Sequence, residues 1–242
     1  YGIASSASGM SALAMCLVQL ERLVYPDLEA AYLKRKASFL ARLGSGSACR
    51  SIEGGLVVWG QHKGISGSSD LQGLKFPSEV HAVFQDYQDA ILLVDKGEKQ
   101  ISSSVGHNLM HQHPFATPRF EQAYTHLGQL IPILKNGDLS GFIKIVELEA
   151  LTLHAMMMCS EPYFILMKPN TLEIINALWT FRKASKIPVC FTLDAGANVH
   201  VLYPKKYALE VNKFISIKLA NYCQNKQYIL DSVGKGAQYI EF

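Results

Sequence analysis

The sequence has few cysteines, and no two of them are close enough to form a C-x-x-C pair. The 242 residues include five cysteines, which is an odd number, and the five are far apart in the sequence. We therefore expect neither a disulfide framework nor a thiolate zinc site. Scattered free thiols are typical of a reducing compartment, and we expect a cytoplasmic protein.

The chain also lacks an excess of charge of one sign. Lys and Arg total 23, Asp and Glu total 20, and the net charge is +3 at pH 7. Nucleic-acid-binding proteins usually carry a basic stripe, and no long run of Lys and Arg occurs here. We expect no nucleic-acid partner. A small phosphorylated ligand remains possible, because it needs only a local pocket.

Long hydrophobic runs are missing as well. No apolar stretch reaches about 18 residues without a polar break, so we predict no membrane span. The first residues lack a basic segment ahead of an apolar one, so we predict no signal peptide. The chain starts at Tyr1 without an initiator methionine, inside a glycine- and serine-rich segment. We therefore expect that residues upstream of it are missing.

The composition supports a folded protein with a sizeable core. Hydrophobic residues make up 49% of the chain and charged residues 18%, which excludes a disordered protein. The length fits one large domain or two packed lobes. Pro114 and Pro118 suggest a boundary near them, and we predict lobes of residues 1–112 and 113–242.

Apolar periodicity and capping residues predict a mixture of helices and strands. A tight Gly/Asn turn at residues 194–198 separates two strands and is typical of a hairpin. Hairpins mixed with helix pairs indicate an α+β fold rather than a doubly wound parallel sheet. The predicted helices cover residues 6–24, 28–43, 119–135, 138–158, 171–185 and 206–223, and the predicted strands cover residues 55–59, 90–94, 188–193, 199–203 and 228–230.

Three segments are rich in glycine and other small residues: 2–9, 44–51 and 234–237. Glycine lets the backbone approach a ligand closely, while serine hydroxyls and the amides of a helix N-terminus donate to phosphate oxygens. Any one segment could be an ordinary turn or cap. Three in one short chain favour a phosphorylated ligand. Neither a Walker loop nor a complete Gly-x-Gly-x-x-Gly after a strand occurs, so no P-loop or Rossmann site is predicted.

Two charged residues are candidates for chemistry. Arg50 lies among small residues, which leave its guanidinium accessible to a carboxylate or phosphate. The alternative is a surface salt bridge. Asp194 follows a predicted strand, where it could accept a proton or hold a hydroxyl. The alternative, which the local sequence by itself favours, is a residue that only forms the turn.

Three histidines have a partly helical spacing, as metal ligands on a helix would. They are His107, His111 and His113. No carboxylate lies between them and Pro114 interrupts the pattern, so we predict no metal site formed by protein side chains.

Three motifs that occur in order resemble those of a known family. They are Ala-Ser-Ser-Ala-Ser-Gly at residues 4–9, Gly-Ser-Gly-Ser-Ala-Cys-Arg-Ser at residues 44–51 and Asp-Ala-Gly-Ala-Asn at residues 194–198. Together they resemble the diphosphomevalonate decarboxylases of the GHMP kinase superfamily. The resemblance covers nearly the whole chain. The second motif is highly specific, whereas the serine loop is shared with many GHMP relatives.

The resemblance implies a fold and a reaction. The fold would be the two-lobed α+β GHMP kinase fold, with a truncated N-terminal ribosomal S5 domain 2-like lobe and a ferredoxin-like C-terminal lobe. In the reaction, ATP with Mg²⁺ phosphorylates the 3-hydroxyl of 5-diphosphomevalonate. Loss of phosphate and carbon dioxide then gives isopentenyl diphosphate. Both ligands would lie in a cleft between the lobes, and family analogy suggests a homodimer.

The resemblance also implies roles for particular residues. Asp194 matches the catalytic aspartate, which orients the 3-hydroxyl or takes its proton. Arg50 matches the arginine that holds the carboxylate end of the substrate. Ser5, Ser6 and Ala7 match the loop that receives the phosphates of ATP and, through them, Mg²⁺. The serines expected around the substrate are Ser45, Ser47 and Ser103, the last facing its diphosphate.

Two departures from the family pattern matter. Ala197 stands where the family's turn usually has proline, and we expect little effect because alanine adopts most turn geometries. The family's N-terminal portion is absent, so the chain by itself could lack activity. Two alternatives stay open. One is a sibling enzyme acting on mevalonate or its monophosphate, and the other is a non-catalytic phospholigand-binding protein.

Overall fold

The computed structural model describes residues 5–97 and 109–238, with the side chain of His111 excepted. Within that part, the chain forms two compact units. The serine-loop unit contains residues 5–78 and 233–238. The sheet unit contains residues 79–97 and 109–232.

A pair of helices forms the core of the serine-loop unit. The elements of the unit are α1 (Ser5–Val24), α2 (Ala30–Gly44), a 3₁₀ helix (Gly46–Ser51) and the antiparallel strands β1 (Val57–Val58) and β2 (Leu74–Lys75). Ala14 and Val18 of α1 share a core with Ala37 and Ala41 of α2, and each is at most 2% exposed. These small side chains at helical spacing let the two helices pack closely.

The opposite side of α1 is apolar and exposed. By length and composition, α1 is long and apolar enough to cross a membrane, the one such helix among residues 5–97 and 109–238. Core helices and signal sequences meet the same criterion, and the buried side of α1 packs on α2. The exposed apolar residues are Leu13, Leu17, Leu20, Leu23 and Val24.

The sheet unit contains four antiparallel strands. They are β3 (Tyr87–Leu92), β4 (Cys190–Leu193), β5 (Val199–Pro204) and β6 (Tyr228–Ser232). Their order in the sheet is β4-β5-β3-β6, and each neighbouring pair is antiparallel. With helices between β3 and β4 and between β5 and β6, the chain follows the split β-α-β-β-α-β pattern of ferredoxin-like folds. The predicted α+β class is confirmed.

The sheet unit also contains α-helices. Those described in the sheet unit are α3 (Ala82–Gln85), α4 (Ala116–Asn136), α5 (Leu139–Met158), α6 (Pro169–Ser185) and α7 (Ala208–Ile217). Asp138 caps α5 as predicted, because its carboxylate accepts a hydrogen bond from the N–H of Gly141 at 3.0 Å. Gly137 ends α4 at φ 74°, a conformation that favours glycine.

One face of the sheet lies in the core. Alternate residues of β5, namely Val199, Val201 and Tyr203, are at most 1% exposed. They share a hydrophobic cluster with Leu178 of α6 and Ile215 of α7. The alternation follows from the two-residue period of a strand, which directs every second side chain to the same face.

Most predicted elements differ from the structure by a few residues at one or both ends, and two of them show why. The helix predicted at 206–223 ends as α7 at Ile217, and a 3₁₀ turn, Leu219–Tyr222, follows it. The strand predicted at 90–94 begins at Tyr87, which pairs with Pro204 at the far end of β5. Cross-strand pairing therefore extends β3 beyond its most hydrophobic residues, which had set the prediction.

The predicted lobe boundary between residues 112 and 113 stays a prediction. The two compact units change over at residues 78–79 and 232–233. Pro118, one of the two prolines that suggested the boundary, lies in the first turn of α4. Proline is compatible with that position, because the first N–H groups of a helix have no intrahelical partner.

Candidate functional site

The start of α1 lies beside the glycine-serine turn that follows α2. The Oγ atoms of Ser6 and Ser45 are 3.4 Å apart. Ser5 and Ser6 are exposed, whereas Ala7 is 4% exposed and packs in the core. The predicted ATP-binding residues are thus next to the first serine of the predicted substrate motif.

The first turn of α1 suits an anion. Ser8 and Ser11 use their hydroxyls inside the helix, where they donate to the carbonyls of Ser5 and Ser8 at 3.0 and 2.9 Å. Ser5 and Ser6 lie at the N-terminus, where backbone N–H groups point outward and favour negative charge. The first turn contains no acidic residue that would repel a phosphate. This donor set fits the phosphates of a nucleotide.

A buried serine fixes the turn that carries Arg50. Ser38 of α2 is 2% exposed, and its Oγ donates to the carbonyl of Cys49 and accepts the N–H of Gly73, both at 2.9 Å. Trp59 covers Gly46, where a Cβ atom would come within 2.9 Å of the indole ring. Arg50 is exposed near the end of this turn.

The third glycine-rich segment packs against the residues that follow Arg50. Gly55 donates its N–H to the carbonyl of Gly234 at 3.0 Å, and Ala237 donates to the carbonyl of Ile52 at 3.2 Å. Gly236 has a φ of 79°, which favours glycine. The described parts of all three glycine-rich segments therefore belong to the serine-loop unit.

The remaining predicted residues differ in where they lie: two serines belong to the turn that carries Arg50, and the others lie elsewhere or outside the described residues. Ser45 and Ser47 are half-buried in the same turn. Ser103 and His107 lie outside the described residues. His113 is buried, with its Nε2 atom 3.0 Å from the carbonyl of Met156. In the part of the chain that the structure describes, no group of three or more His, Cys, Asp and Glu residues is placed to hold a metal ion.

Asp194 belongs to the sheet unit and directly follows β4. The strands β4 and β5 pair up to Leu193 and Val199, so residues 194–198 connect them as the predicted hairpin. The carbonyl of Asp194 accepts the N–H of Gly196 at 2.7 Å. The backbone of Asp194 thus forms the turn, as the turn-forming alternative expects. The residue is also exposed, so its carboxylate is accessible to a ligand.

Two fully buried side chains contact this connection from different helices. His154 of α5 is 1% exposed, and its Nε2 atom lies 3.1 Å from the carbonyl oxygen of Asp194. Thr171 of α6 is 0% exposed, and its Oγ1 donates to the carbonyl of Ala197 at 2.7 Å. Burial lowers the pKa of His154 below its ordinary value of 6.5. The ring is therefore neutral at pH 7, and Nε2 carries the proton because a carbonyl only accepts.

A third contact comes from the far end of the connection. Asn198 is 4% exposed, and its Oδ1 atom accepts the N–H of Asp95 at 3.0 Å. Asp95 follows β3, so the connection is held from three separate segments of the sheet unit. The sequence predicted no role for His154 or Thr171, and it predicted Asn198 only as part of the turn motif at residues 194–198. His154 and Thr171 are polar residues on the buried sides of helices, which is their one signal in the sequence.

The serine-rich helix start, the glycine-rich turn of Arg50 and the ferredoxin-like sheet define a GHMP-type α+β protein. Residues 90–239 match the mevalonate 5-diphosphate decarboxylase C-terminal domain. Residues 1–71 match the diphosphomevalonate decarboxylase-like N-terminal domain. The chain belongs to the mevalonate 5-diphosphate decarboxylase family, as its motifs had suggested.

Individual relatives agree with this assignment. The diphosphomevalonate decarboxylase of Ganoderma lucidum is 29% identical over 224 residues, which are 88% of this chain and 53% of the relative. The phosphomevalonate decarboxylase of Haloferax volcanii is 24% identical over 221 residues, 89% of this chain and 61% of the relative. A solved complex of MDDEF with MVAPP, AMPPCP and magnesium has a TM-score of 0.79 at 30% identity, covering 97% of this chain and 67% of that chain. The chain thus spans about half the length of the Ganoderma relative.

Proposed function

We propose that the protein is an ATP-dependent decarboxylase that converts (R)-5-diphosphomevalonate to isopentenyl diphosphate, ADP, phosphate and carbon dioxide. The observation that carries the proposal is the exposed Asp194 on a connection held by buried hydrogen bonds, in a chain of this family. An accessible acid on a rigid support is what a reaction of this kind requires.

The chemistry replaces a poor leaving group by a good one. The 3-hydroxyl oxygen bonds to the γ-phosphorus of ATP, the bond from that phosphorus to ADP breaks, and the hydroxyl proton is lost. The C3–O bond then breaks and inorganic phosphate leaves. The electron pair of the bond to the carboxylate forms the new double bond, and carbon dioxide departs. The protein has to position the reactants and stabilise the charges that develop.

Asp194 acts on the 3-hydroxyl. Its carboxylate orients the hydroxyl toward the phosphoryl group and accepts the proton. Orientation is the larger part of this role, because phosphoryl transfer needs little help from a base. Once that proton has passed from Asp194 to the solvent, the restored negative charge of Asp194 stabilises the positive charge that grows on the tertiary carbon as phosphate leaves.

Arg50 holds the carboxylate of the substrate. A planar guanidinium binds a carboxylate through two parallel hydrogen bonds, which fixes the angle at which the carboxylate leaves. The turn fixed by Ser38 supports this role, because it limits the backbone positions open to Arg50. Ser45 and Ser47 contact the substrate beside Arg50, and Ser103 contacts its diphosphate.

The nucleotide binds at the start of α1. The hydroxyls of Ser5 and Ser6 and the backbone at Ala7 donate to its phosphates, in agreement with the exposed N-terminus of that helix. Mg²⁺ would bind together with the nucleotide and would neutralise part of the negative charge on its phosphates. The protein is soluble and cytoplasmic in this proposal, and it forms a homodimer.

A second candidate substrate is favoured by one observation. The relative from Haloferax volcanii is a phosphomevalonate decarboxylase, so a monophosphate is the alternative to the diphosphate. The test is release of ADP and carbon dioxide from mevalonate, 5-phosphomevalonate and 5-diphosphomevalonate at equal concentrations. Preference for the diphosphate supports the proposal, and preference for the monophosphate overturns its substrate. Binding of the phosphorylated compounds without release of ADP or carbon dioxide supports a non-catalytic phospholigand-binding protein.

A further inference from the structure

We propose that His154 and Thr171 are positioning residues for Asp194. Their hydrogen bonds to the backbone of residues 194–198 hold the aspartate where it meets the 3-hydroxyl. This inference rests on the proposed function, because it names the groups that keep the reactive acid in place.

The connection between β4 and β5 needs outside support. Gly196 lies at its centre between two alanines. Glycine has the largest backbone freedom, so the segment depends on contacts with its surroundings to keep one conformation. The hydrogen bond inside the turn joins the carbonyl of Asp194 to the N–H of Gly196, two residues away. This bond closes the turn locally but does not fix the turn relative to the rest of the sheet unit.

His154 provides the first external bond. It is 1% exposed in α5, 40 residues before Asp194 in the sequence, and it contacts the carbonyl of Asp194 itself. A buried polar group without a partner is costly, so the imidazole and the carbonyl strongly favour this arrangement. The bond therefore restrains the same residue whose carboxylate takes part in the reaction.

Thr171 provides the second external bond, at the other end of the turn. Its hydroxyl donates to the carbonyl of Ala197 at 2.7 Å and accepts the N–H of Lys168 at 3.1 Å. Lys168 precedes α6, so one hydroxyl joins the start of that helix to the connection. Because the hydroxyl of Thr171 both donates and accepts a hydrogen bond, the side chain has one favoured rotamer. It therefore sets the distance between the start of α6 and residues 194–198.

The two bonds restrain a short span from two directions. His154 holds the residue that begins the turn, and Thr171 holds the residue three positions later. A displacement of about 1 Å at a reacting group can cost about 100-fold in rate. Loss of either bond should therefore lower kcat more than it affects nucleotide binding, which belongs to the other unit.

The experiment compares substitutions that differ by a single polar group. Thr171→Val removes the hydroxyl and keeps the shape, while Thr171→Ser keeps the hydroxyl. His154→Leu removes the donor, while His154→Gln retains an N–H at similar reach. Thr180→Val is the matched control, because Thr180 is exposed on the same helix and its hydroxyl donates to the carbonyl of Asn176 within that helix. Each protein is assayed for kcat, for KM of ATP and for amide hydrogen exchange of residues 194–198.

We expect Thr171→Val and His154→Leu to lower kcat at least about tenfold, with KM of ATP unchanged. Hydrogen exchange of residues 194–198 should become faster in both, because the turn opens more often. Thr171→Ser, His154→Gln and Thr180→Val should resemble the unmodified protein in both measurements. A general loss of stability would instead speed exchange throughout the sheet unit, so faster exchange confined to residues 194–198 and their surroundings distinguishes positioning from it.

Two results would overturn the proposal. One is unchanged exchange of residues 194–198 in both Thr171→Val and His154→Leu. The other is faster exchange with an unchanged kcat, which would mean that the restraint has no catalytic use. Absence of carbon dioxide release by the unmodified protein overturns the proposed function instead, and the exchange measurement still decides whether the two side chains hold the turn.

Discussion

At the scale of single residues, Asp194 is exposed, while two side chains that bind the backbone of residues 194–198 are buried. His154 and Thr171 are both at most 1% exposed. This division lets the carboxylate meet a ligand while the core determines its position. Arg50 has a similar support in the serine-loop unit, where Ser38 holds the preceding residue, Cys49.

Replacing Asp194 by asparagine tests the acid directly. The amide keeps the size and can hold the 3-hydroxyl, but it neither accepts the proton nor carries negative charge. We expect kcat to fall by about 10²- to 10⁴-fold, while the affinity for ATP, measured by calorimetry, stays the same. A variant with nearly normal turnover would show that Asp194 forms the turn and nothing more.

The thiols offer a second test at this scale. Cys16 and Cys159 are exposed, whereas Cys49, Cys190 and Cys223 are buried. Burial raises the pKa of Cys223 to about 11 and raises the pKa of Cys190 further still. Because the thiolate is the reactive form, a thiol reagent at pH 8 should modify two cysteines rapidly and the other three only after unfolding. Rapid modification of all five in the native protein would contradict this burial pattern.

The sequence predicted candidate ligand-binding residues but not the residues that support them. Asp194 and Arg50 stand in motifs with characteristic neighbours. His154, Thr171 and Ser38 bond to carbonyls that are 40, 26 and 11 residues away. Such partners come together only through the packing of α2, α5 and α6, which local patterns do not encode. A buried polar residue on a helix looks the same whether it holds a catalytic turn or fills the core.

At the scale of elements, α5 and α6 are joined by a carboxylate that is nearly buried. Glu147 of α5 is 8% exposed and accepts hydrogen bonds from Arg182 at 2.5 Å and from the indole of Trp179 at 3.0 Å. Hydrogen bonding to Glu147 raises the pKa of Arg182. These two helices also carry His154 and Thr171, so the pair that joins them supports both positioning residues.

Removing this carboxylate should therefore destabilise the sheet unit. In Glu147→Ala, Arg182 and Trp179 lose their shared partner, and we expect the free energy of unfolding in urea to fall by about 3 kcal/mol. Glu173→Ala is the control, because Glu173 is exposed on α6, and it should change stability by less than about 0.5 kcal/mol. Equal effects of the two substitutions would refute a structural role for Glu147.

Most elements could be predicted from the sequence because their apolar periods are regular. The helix α5 and its cap Asp138 are examples, since Asp138 is a strong capping residue and α5 is rich in apolar residues as far as Met158, where it ends. The strand β2 was not predicted, because its two residues lie in a loop rich in Gly and Ser. Its pairing with β1 depends on a distant partner rather than on β-propensity.

At the scale of the whole molecule, one side of α1 exposes several large apolar residues. Leu17 and Leu20 are 48% and 60% exposed, and neighbouring leucines extend the same side. Exposed apolar patches of this kind mark interaction surfaces or promote association. The adjacent side of the same helix is core, as Val18 is 2% exposed.

Because one side of α1 is exposed and the adjacent side is buried, substitutions at two neighbouring positions should differ in their effect on stability. Leu17→Gln should reduce self-association, measured by light scattering, and leave the free energy of unfolding within about 0.5 kcal/mol. Val18→Gln should destabilise by roughly 2 kcal/mol or more, because it buries an amide and disrupts packing against α2. A large loss of stability in Leu17→Gln would show that this side of α1 is covered in solution.

The proposed decarboxylation is tested with 5-diphosphomevalonate labelled at the carboxylate carbon, together with ATP and Mg²⁺. We expect labelled carbon dioxide and ADP to appear in equal amounts, and neither to appear at a comparable rate with Asp194→Asn. Hydrolysis of ATP without labelled carbon dioxide, or carbon dioxide release that does not depend on Asp194, would contradict this expectation.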